Sequence, residues 1–280
     1  MADKIGLIAG SGRFPLLFTE QARRSGTEVV ALGIAGVTDP ALDKLTSVTY
    51  FKLGQISKSI EHLKAAGVTK AVMAGKVQHN SLFGGFLPDL RAVKVLARLK
   101  DKRTDTILAA VAEEFKKDGI ELLPSSTYLS HLIARAGVLT RRKPTPAESA
   151  DIDLGWRAAK ALAGFDIGQS VVVREGAVVA VEAMEGTDAT IRRAAEIAGA
   201  HGARAPLTVV KVAKPKQDFR FDLPVAGLDT LAVLQETGAS ALAVEADKTL
   251  IFDKEAFVEK ADALRLTVVA VAAERTGAPS

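Results

Sequence analysis

The sequence predicts an α/β protein of two domains. In the first half, short β-branched runs beginning at Lys4, Glu28, Lys70 and Gly119 alternate with amphipathic stretches. Such alternation is typical of a parallel sheet covered by helices. After a helix expected at Asp151–Ala163, the pattern changes to hairpins and separate strands. We therefore expect an N-terminal Rossmann-like parallel-sheet domain joined to a second, mixed α/β domain.

Composition marks the boundary between these domains. The segment TRRKPTPAES, residues 140–149, holds two prolines and three adjacent basic residues, which predicts a linker or the lead-in to a helix. We assign residues 1–140 to the first domain, 141–150 to the linker and 151–280 to the second domain. In the second domain we expect one hairpin about Glu175 and Gly176 and another turning near Asp247.

Composition also limits the chemistry. The 280 residues contain no cysteine, which excludes disulfides, thiolate metal sites and cysteine nucleophiles. A net charge of +4 suits an anionic ligand, while the scarcity of aromatic residues near basic ones argues against nucleic acid. The N-terminus lacks a signal-peptide pattern and no run of roughly 18 apolar residues occurs, so we expect a cytoplasmic protein.

A glycine-rich turn follows the first predicted strand, with the residues Gly10, Ser11, Gly12 and Arg13. Two close glycines let backbone N–H groups and the next helix N-terminus approach a phosphate or a ribose. The third glycine of a dinucleotide fingerprint is replaced by Pro15. A tight strand-to-helix turn without a ligand explains the segment equally well.

A second strand end is expected at the same edge of the sheet. The segment MAGKV places Gly75 and Lys76 after the strand that begins at Lys70. Open α/β sheets bind ligands at the carboxyl ends of their strands. Lys76 is therefore a candidate contact for a phosphate or ribose, and a solvated lysine is the alternative.

An apolar stretch, Leu82–Leu87, precedes four basic residues spaced to share one helical face: Arg91, Lys94, Arg98 and Lys102. Together they could hold acyl chains or meet an anionic membrane surface. The alternative is a loop in the core followed by a solvated basic helix.

The segment KVAKPKQDFRFDLPVAG is the most informative. If it is extended, Asp218, Arg220 and Asp222 point to one face. Carboxylates of this kind suit Mg²⁺ or another divalent cation, and Arg220 with the nearby Lys211 and Lys214 suits phosphate groups. A salt-bridge ladder on an exposed strand is the alternative.

An acidic segment ends the first expected hairpin, with the candidates Glu185, Gly186, Thr187 and Asp188. Thr187 or Asp188 could cap the following helix whether or not the acids bind a metal ion. The histidines are scattered and form no zinc-binding pair, which disfavours a zinc hydrolase.

Taken together, these segments resemble the LpxI family. The resemblance is carried by IGLIAGSGRFP, MAGKV, the hairpin ending in VEAMEGTDATI, and KPKQDFRFDLPVAG, in that order and over nearly the whole chain. It implies hydrolysis of UDP-2,3-diacylglucosamine to UMP and 2,3-diacylglucosamine 1-phosphate in lipid A synthesis, with help from Mg²⁺. It further implies that the first domain holds the nucleotide, and the second the acylated sugar phosphate and the catalytic carboxylates.

Residue roles follow from the resemblance. Asp222 is the first choice for the essential carboxylate and Asp218 the second, with Glu185 as a third ligand for the ion. The predicted substrate contacts are Gly10, Ser11, Gly12, Arg13, Gly75, Lys76, Gly186, Thr187, Asp188, Lys211, Lys214 and Arg220. We also expect peripheral contact with the cytoplasmic face of the inner membrane. Apolar strands such as LTVVAVAA are consistent with a homodimer, and burial of these strands within the monomer is the alternative.

Two rival functions stay open. One is a nicotinamide-dependent or other sugar-nucleotide-modifying enzyme, which the residue Pro15 in the glycine-rich turn disfavours. The other is a non-catalytic carrier of acylated sugar phosphate, which leaves Asp218 and Asp222 unexplained. Turnover of the acylated sugar nucleotide would separate the enzyme from the carrier.

Overall fold

The computed structural model describes residues 3–77, 88–99, 101, 103–199, 206–215 and 217–273. The chain packs into two units: unit 1 is Met1–Ser130 with Asp218–Asp222, and unit 2 is His131–Gln217 with Leu223–Ser280. The division falls before the boundary predicted at residue 140. Residues 218–222, which the sequence assigned to the second domain, pack with unit 1.

Unit 1 contains a five-stranded parallel sheet. Its strands are β1 (Lys4–Ala9), β2 (Glu28–Ile34), β3 (Val48–Phe51), β4 (Lys70–Ala74) and β5 (Glu121–Leu122). Their spatial order is β3-β2-β1-β4-β5, with every neighbouring pair parallel. The order changes direction between β1 and β4, the switch point at which such sheets bind ligands. The prediction of a Rossmann-like first domain is confirmed.

Helices cover both faces of this sheet. They are α1 (Arg13–Arg24), α2 (Ile56–Ala65), α3 (Leu90–Arg98) and α4 (Thr104–Lys117). On one face Phe18 and Ala22 of α1 pack against alternate residues of β1, including Leu7. On the other face Leu63 and Phe115 pack with Met73 of β4. Strands buried on both faces explain why their sequences are almost continuously apolar.

Unit 2 is built on a mixed six-stranded sheet. Its strands are β6 (Gly137–Val138), β7 (Ser170–Arg174), β8 (Ala177–Val181), β9 (Thr208–Lys211), β11 (Ala241–Glu245) and β13 (Thr267–Val271), in the order β6-β13-β11-β9-β7-β8. β9, β11 and β13 are parallel, while β6, β7 and β8 pair antiparallel with their neighbours. A separate parallel pair joins β10 (Val225–Ala226) to β12 (Leu250–Ile251). The predicted mixed domain is confirmed.

Two hairpins were expected here, and one forms. β7 and β8 pair about Glu175 and Gly176, as predicted. The hairpin near Asp247 is wrong, because β11 is already paired on both sides with β9 and β13, which leaves no edge for β12. β12 pairs with β10 instead. Alternating apolar runs look the same in both arrangements.

The helices of unit 2 also lie on both faces of its sheet: α5 (Pro146–Gly164), α6 (Thr187–Gly199), α7 (Leu228–Thr237) and α8 (Lys254–Ala263). α5 begins inside the expected linker, because Thr145 and Glu148 form a capping box that starts the helix there. Thr145 thus caps α5, and residues 146–150 form its first turn rather than a linker.

Burial explains the apolar strand that suggested a homodimer. β13 lies between β6 and β11, and all five of its residues are buried. Its composition therefore needs no second subunit. In the part of the chain that the structure describes, no helix is both long enough and apolar enough to cross a membrane.

Candidate functional site

The glycine-rich turn meets the strand end after β4 at the switch point of unit 1. Ser11 and Lys76 form an isolated antiparallel bridge, in which the N–H of each donates to the carbonyl of the other at 2.9 and 3.0 Å. The Ser11 hydroxyl also donates to the Lys76 carbonyl at 2.8 Å, and the Gly10 N–H donates to Ala74 at 2.8 Å. The two segments predicted to share one edge are therefore directly hydrogen-bonded.

The closeness of the two turns explains their glycines. A Cβ on Gly10 would lie 2.7 Å from the Lys76 carbonyl oxygen, and one on Gly75 would lie 2.7 Å from that of Ser11. Gly75 also has a φ of +99°, which side-chain-bearing residues rarely adopt. The glycines permit contact between two strand-end loops.

This contact corrects one expectation. The N–H groups of Gly10, Ser11 and Lys76 already donate to backbone carbonyls, so they do not form the phosphate cradle expected from the sequence. The N-terminus of α1 remains as a feature that favours an anion: Gly12 precedes the helix with a φ of +89°, and no acidic residue stands in its first turn. Arg13 opens α1 and pairs with Glu20 at 3.2 Å, and Lys76 is exposed.

Residues Asp218–Asp222 form a turn, so the condition under which their side chains would share one strand face is not met. The N–H groups of Phe221 and Asp222 both donate to the Asp218 carbonyl, at 3.2 and 3.0 Å. Phe221 packs against the unit 1 core that includes Leu122. Because the backbone turns here instead of extending, the alternation of a strand does not set the directions of Asp218, Arg220 and Asp222.

The turn is held to the carboxyl end of β4 by one residue that the sequence did not reveal. The N–H of Ser125 donates to the Phe219 carbonyl at 2.8 Å. Its hydroxyl oxygen lies 2.7 Å from the Arg220 carbonyl oxygen and 2.8 Å from that of Met73 in β4. Ser125 thus links the predicted catalytic segment to the carboxyl end of β4 in the unit 1 sheet.

Asp218 and Arg220 bind each other. The guanidinium of Arg220 contacts both carboxylate oxygens of Asp218 at distances from 2.6 to 3.1 Å. This hydrogen bonding to Arg220 holds the pKa of Asp218 below its usual range, against the opposing effect of burial. Asp222 is partly exposed, and its backbone N–H is used within the turn.

In unit 2, the acidic segment before α6 is internally bonded. The Arg193 guanidinium donates to Glu185 at 2.6 Å, the Thr190 hydroxyl donates to it at 3.2 Å, and the Ala183 N–H at 3.0 Å. Its own backbone N–H and Arg193 lower the pKa of Glu185 to about 2. The Thr187 hydroxyl donates to the carboxylate of the buried Glu182. Gly186 has a φ of +85°, and Asp188 lies in the first turn of α6.

The two predicted lysines of unit 2 lie near the end of β9. The Lys211 ammonium donates to the Val225 carbonyl at 3.0 Å, and the Lys214 ammonium contacts Asp166 at 2.6 Å. Both cations therefore stand at the carboxyl edge of the unit 2 sheet.

A buried ion pair supports this edge and was not foreseen. Glu245, at the end of β11, is fully buried and contacts Lys160 at 2.5 Å and Lys248 at 2.8 Å. It also accepts the N–H of Ala213, whose carbonyl accepts from Lys160. Burial raises the pKa of Glu245, but the two lysines and the amide outweigh it, so the net shift is downward.

The predicted metal ligands lie in different units, Asp218 and Asp222 in unit 1 and Glu185 in unit 2. Among the described residues, no group of three or more His, Asp or Glu side chains could hold a metal ion. Asp218 and Glu185 each form a salt bridge with an arginine, and a metal ion would have to compete with that arginine for the carboxylate. Neither unit by itself therefore holds the predicted set of three carboxylates, and we derive no step through a bound ion.

The basic helical face is only partly as expected. Arg91 contacts Glu114 at 2.6 Å and Asp118 at 2.5 Å, so it serves to join α3 to the end of α4. Lys94 and Arg98 are exposed on α3. Lys102 and the apolar stretch 82–87 lie outside the described residues.

Fold and switch-point geometry define the class as a two-domain α/β protein with a Rossmann-like first domain. The family model of the LpxI N-terminal domain matches residues 4–132, and the family model of the LpxI C-terminal domain matches residues 135–269. This chain belongs to the LpxI family. It is 34% identical over 274 residues to a Caulobacter vibrioides protein named UDP-2,3-diacylglucosamine pyrophosphatase LpxI, covering 96% of this chain and 97% of the relative.

Solved structures give weaker likenesses. An N5-carboxyaminoimidazole ribonucleotide synthetase is 12% identical with a TM-score of 0.28, and covers 71% of this chain and 45% of its own. The biotin carboxylase subunit of a pyruvate carboxylase is 14% identical with a TM-score of 0.24, and covers 75% and 44%. This chain spans under half the length of each, and likeness at this level supports no argument.

Proposed function

We propose that this chain hydrolyses the pyrophosphate bond of UDP-2,3-diacylglucosamine, giving UMP and 2,3-diacylglucosamine 1-phosphate for lipid A synthesis. The observation that carries the proposal is the 34% identity, across 96% of the chain, to a protein named for that reaction. Both LpxI domains also match in order.

The reaction sets what the residues must do. A water oxygen bonds to one phosphorus, the bond from that phosphorus to the bridging oxygen breaks, and the bridging oxygen leaves with the other phosphate. The water gives up a proton, and negative charge develops on the leaving phosphate. Cations and N–H dipoles that are already in place lower the energy of such a transition state.

For the nucleotide, we propose the carboxyl edge of unit 1. It lies at the β1–β4 switch point, where parallel sheets leave a crevice. Lys76 and Arg13 supply positive charge there, and the N-terminus of α1 adds its dipole. The Gly10–Ser11 and Gly75–Lys76 segments hydrogen-bond to each other. Their contact would hold the two loops together beneath the ligand, and its N–H groups would not donate to the ligand.

For the reacting group, we propose Asp222 as the essential carboxylate. Asp218 is the second candidate; its carboxylate binds Arg220, which lowers its pKa. We also propose dependence on Mg²⁺ or another divalent cation, which rests on the family and the chemistry of Asp222 rather than on a cluster of ligands. Lys211, Lys214 and the Gly186–Asp188 segment are proposed contacts of the acylated sugar phosphate.

Membrane contact is a further part of the proposal. α3 exposes Leu90, Val93 and Leu96 together with Lys94 and Arg98, a combination that suits an anionic lipid surface. Flotation with anionic vesicles should recover the wild type and lose a Leu90→Ser/Lys94→Glu variant.

Homodimer formation stays a prediction that sedimentation velocity at micromolar concentration tests.

The deciding experiment follows UMP release by phosphorus NMR in oxygen-18 water. Wild type, Asp222→Ala and a control, Asp229→Asn in the first turn of α7, are compared with Mg²⁺ and with chelator. We expect metal-dependent UMP release by wild type and control, and none by Asp222→Ala. The labelled product identifies which phosphorus is attacked. Binding of substrate without release of UMP would instead support a carrier.

A further inference from the structure

We propose that Ser125 is a positioning residue for the reaction, which holds the Asp218–Asp222 turn at the carboxyl end of β4. This inference rests on the proposed function, because it assigns Asp222 to the chemistry. It adds a residue that neither the motifs nor the family resemblance identified, and the residues that support it all lie in unit 1.

The first observation is that Ser125 contacts the turn twice. Its N–H donates to the Phe219 carbonyl at 2.8 Å, and its hydroxyl oxygen lies 2.7 Å from the Arg220 carbonyl oxygen. Consecutive carbonyls of the turn are therefore bound by one residue. Such a two-point contact fixes the direction of a short segment as well as its distance.

The second observation is that the same hydroxyl reaches the sheet. It lies 2.8 Å from the carbonyl oxygen of Met73, one residue before the end of β4. A serine hydroxyl has one hydrogen, so it donates to one of the two carbonyls at a time or is shared between them. Either way, the hydroxyl is the side-chain link between the rigid sheet and the turn.

The third observation is burial. Ser125 is 1% exposed, so water does not replace a lost hydroxyl without rearrangement. The turn itself is short and depends on two N–H groups, of Phe221 and Asp222, that share the Asp218 carbonyl. Loss of the link should leave the fold intact but let the turn shift, and shifts of about an ångström in reacting groups slow catalysis strongly.

The test compares Ser125→Ala with Thr127→Val. Thr127 is a matched control because its hydroxyl donates only locally, to the Pro124 carbonyl at 2.6 Å in the same loop. UMP release is measured for kcat and KM, and amide exchange of Phe221 and Asp222 is measured by NMR. Assays run well below the lowest melting temperature of the three proteins, so that folded protein is compared.

For Ser125→Ala we expect kcat to fall about tenfold with KM changed less than about twofold, because the turn is misplaced while ligand contacts stay. Exchange at Phe221 and Asp222 should rise about tenfold. Thr127→Val should match wild type in both. In an Asp222→Asn background, Ser125→Ala should cause no further loss of kcat, because both act on one group.

Several results would overturn the role. They are wild-type kcat in Ser125→Ala, an equal loss in Thr127→Val, or a loss that adds fully to that of Asp222→Asn. Failure of the proposed function looks different, since wild type itself would then release no UMP. In that case the exchange comparison alone decides whether Ser125 holds the turn.

Discussion

The guanidinium of Arg220 and the carboxylate of Asp218 form a two-nitrogen contact, with the shortest distance 2.6 Å. The pair is joined by a further bond from the Arg220 N–H to the same carboxylate at 3.1 Å. A carboxylate bound in this way is already neutralised and oriented. We therefore expect the two aspartates, which look equivalent in the sequence, to differ in their effect on the reaction.

This difference gives the first prediction. Asp222→Asn should lower kcat for UMP release by about 10² to 10⁴, the range for losing a group that transfers or orients a proton. Asp218→Asn should lower it by only about tenfold, because it loosens the turn rather than removing the reacting group. Steady-state kinetics of both variants measure the difference, and equal losses would contradict it.

A second prediction concerns Glu245 and stability. Glu245→Gln removes the carboxylate that Lys160 contacts and should lower the free energy of unfolding of unit 2 by about 2 kcal/mol at pH 7, the range for losing a hydrogen bond between charged groups. Since the folded pKa of Glu245 lies below its ordinary value of about 4.3, the stabilisation is present above that pH. It is lost as the pH falls towards the folded pKa.

Urea unfolding at pH 7 and near pH 3.5 measures this effect. The gap between wild type and Glu245→Gln should shrink at the lower pH. Glu236→Gln serves as the control, because Glu236 pairs with Arg192 on the surface and should change the free energy little. A gap that grows at acid pH would mean that the carboxylate destabilises the fold.

The sheet of unit 1 could be predicted because its signals are local. The strands β1, β2 and β4 are short apolar runs, and the helices α1 and α2 repeat apolar residues at helical spacing. The strand β3 was not predicted, since none of its four residues is fully buried and it forms no apolar run. The observed bounds of β1 and β2, Lys4–Ala9 and Glu28–Ile34, coincide with the apolar runs. The contact of the loops after β1 and β4 followed from the parallel order of their strands.

The candidate site could be predicted only in part, because the missing features depend on long-range partners. Ser125 follows a two-residue strand and has no motif of its own, yet its partners are Met73 and Arg220. The turn at Asp218 has the same alternating letters as a strand. Glu245 ends an apolar strand, which indicates only weakly that its carboxylate is buried and needs a cationic partner. The sequence does not identify that partner as Lys160.

A third prediction concerns the contact between strand-end loops in unit 1. Gly75→Ala should lower the free energy of unfolding by about 2 kcal/mol, because its Cβ would lie 2.7 Å from the Ser11 carbonyl oxygen at a φ of +99°. Gly164→Ala is the control, since the described residues leave no heavy atom within 4 Å of its Cβ. Urea unfolding, with amide exchange in β1 and β4, measures both. Equal effects would show that the close approach is not the cause.

The last prediction tests whether Lys214, near the end of β9, binds the substrate or only stabilises the fold. Lys214 contacts Asp166 at 2.6 Å, so it is either held for a phosphate or only neutralising that carboxylate. If it binds the substrate phosphate, Lys214→Gln should raise KM about tenfold, the loss of one charge-assisted hydrogen bond, with kcat changed less. Asp166→Asn should leave KM unchanged or lower it, because it removes only the competing partner. If the pair is structural, both variants should instead lower the melting temperature alike and leave KM unchanged.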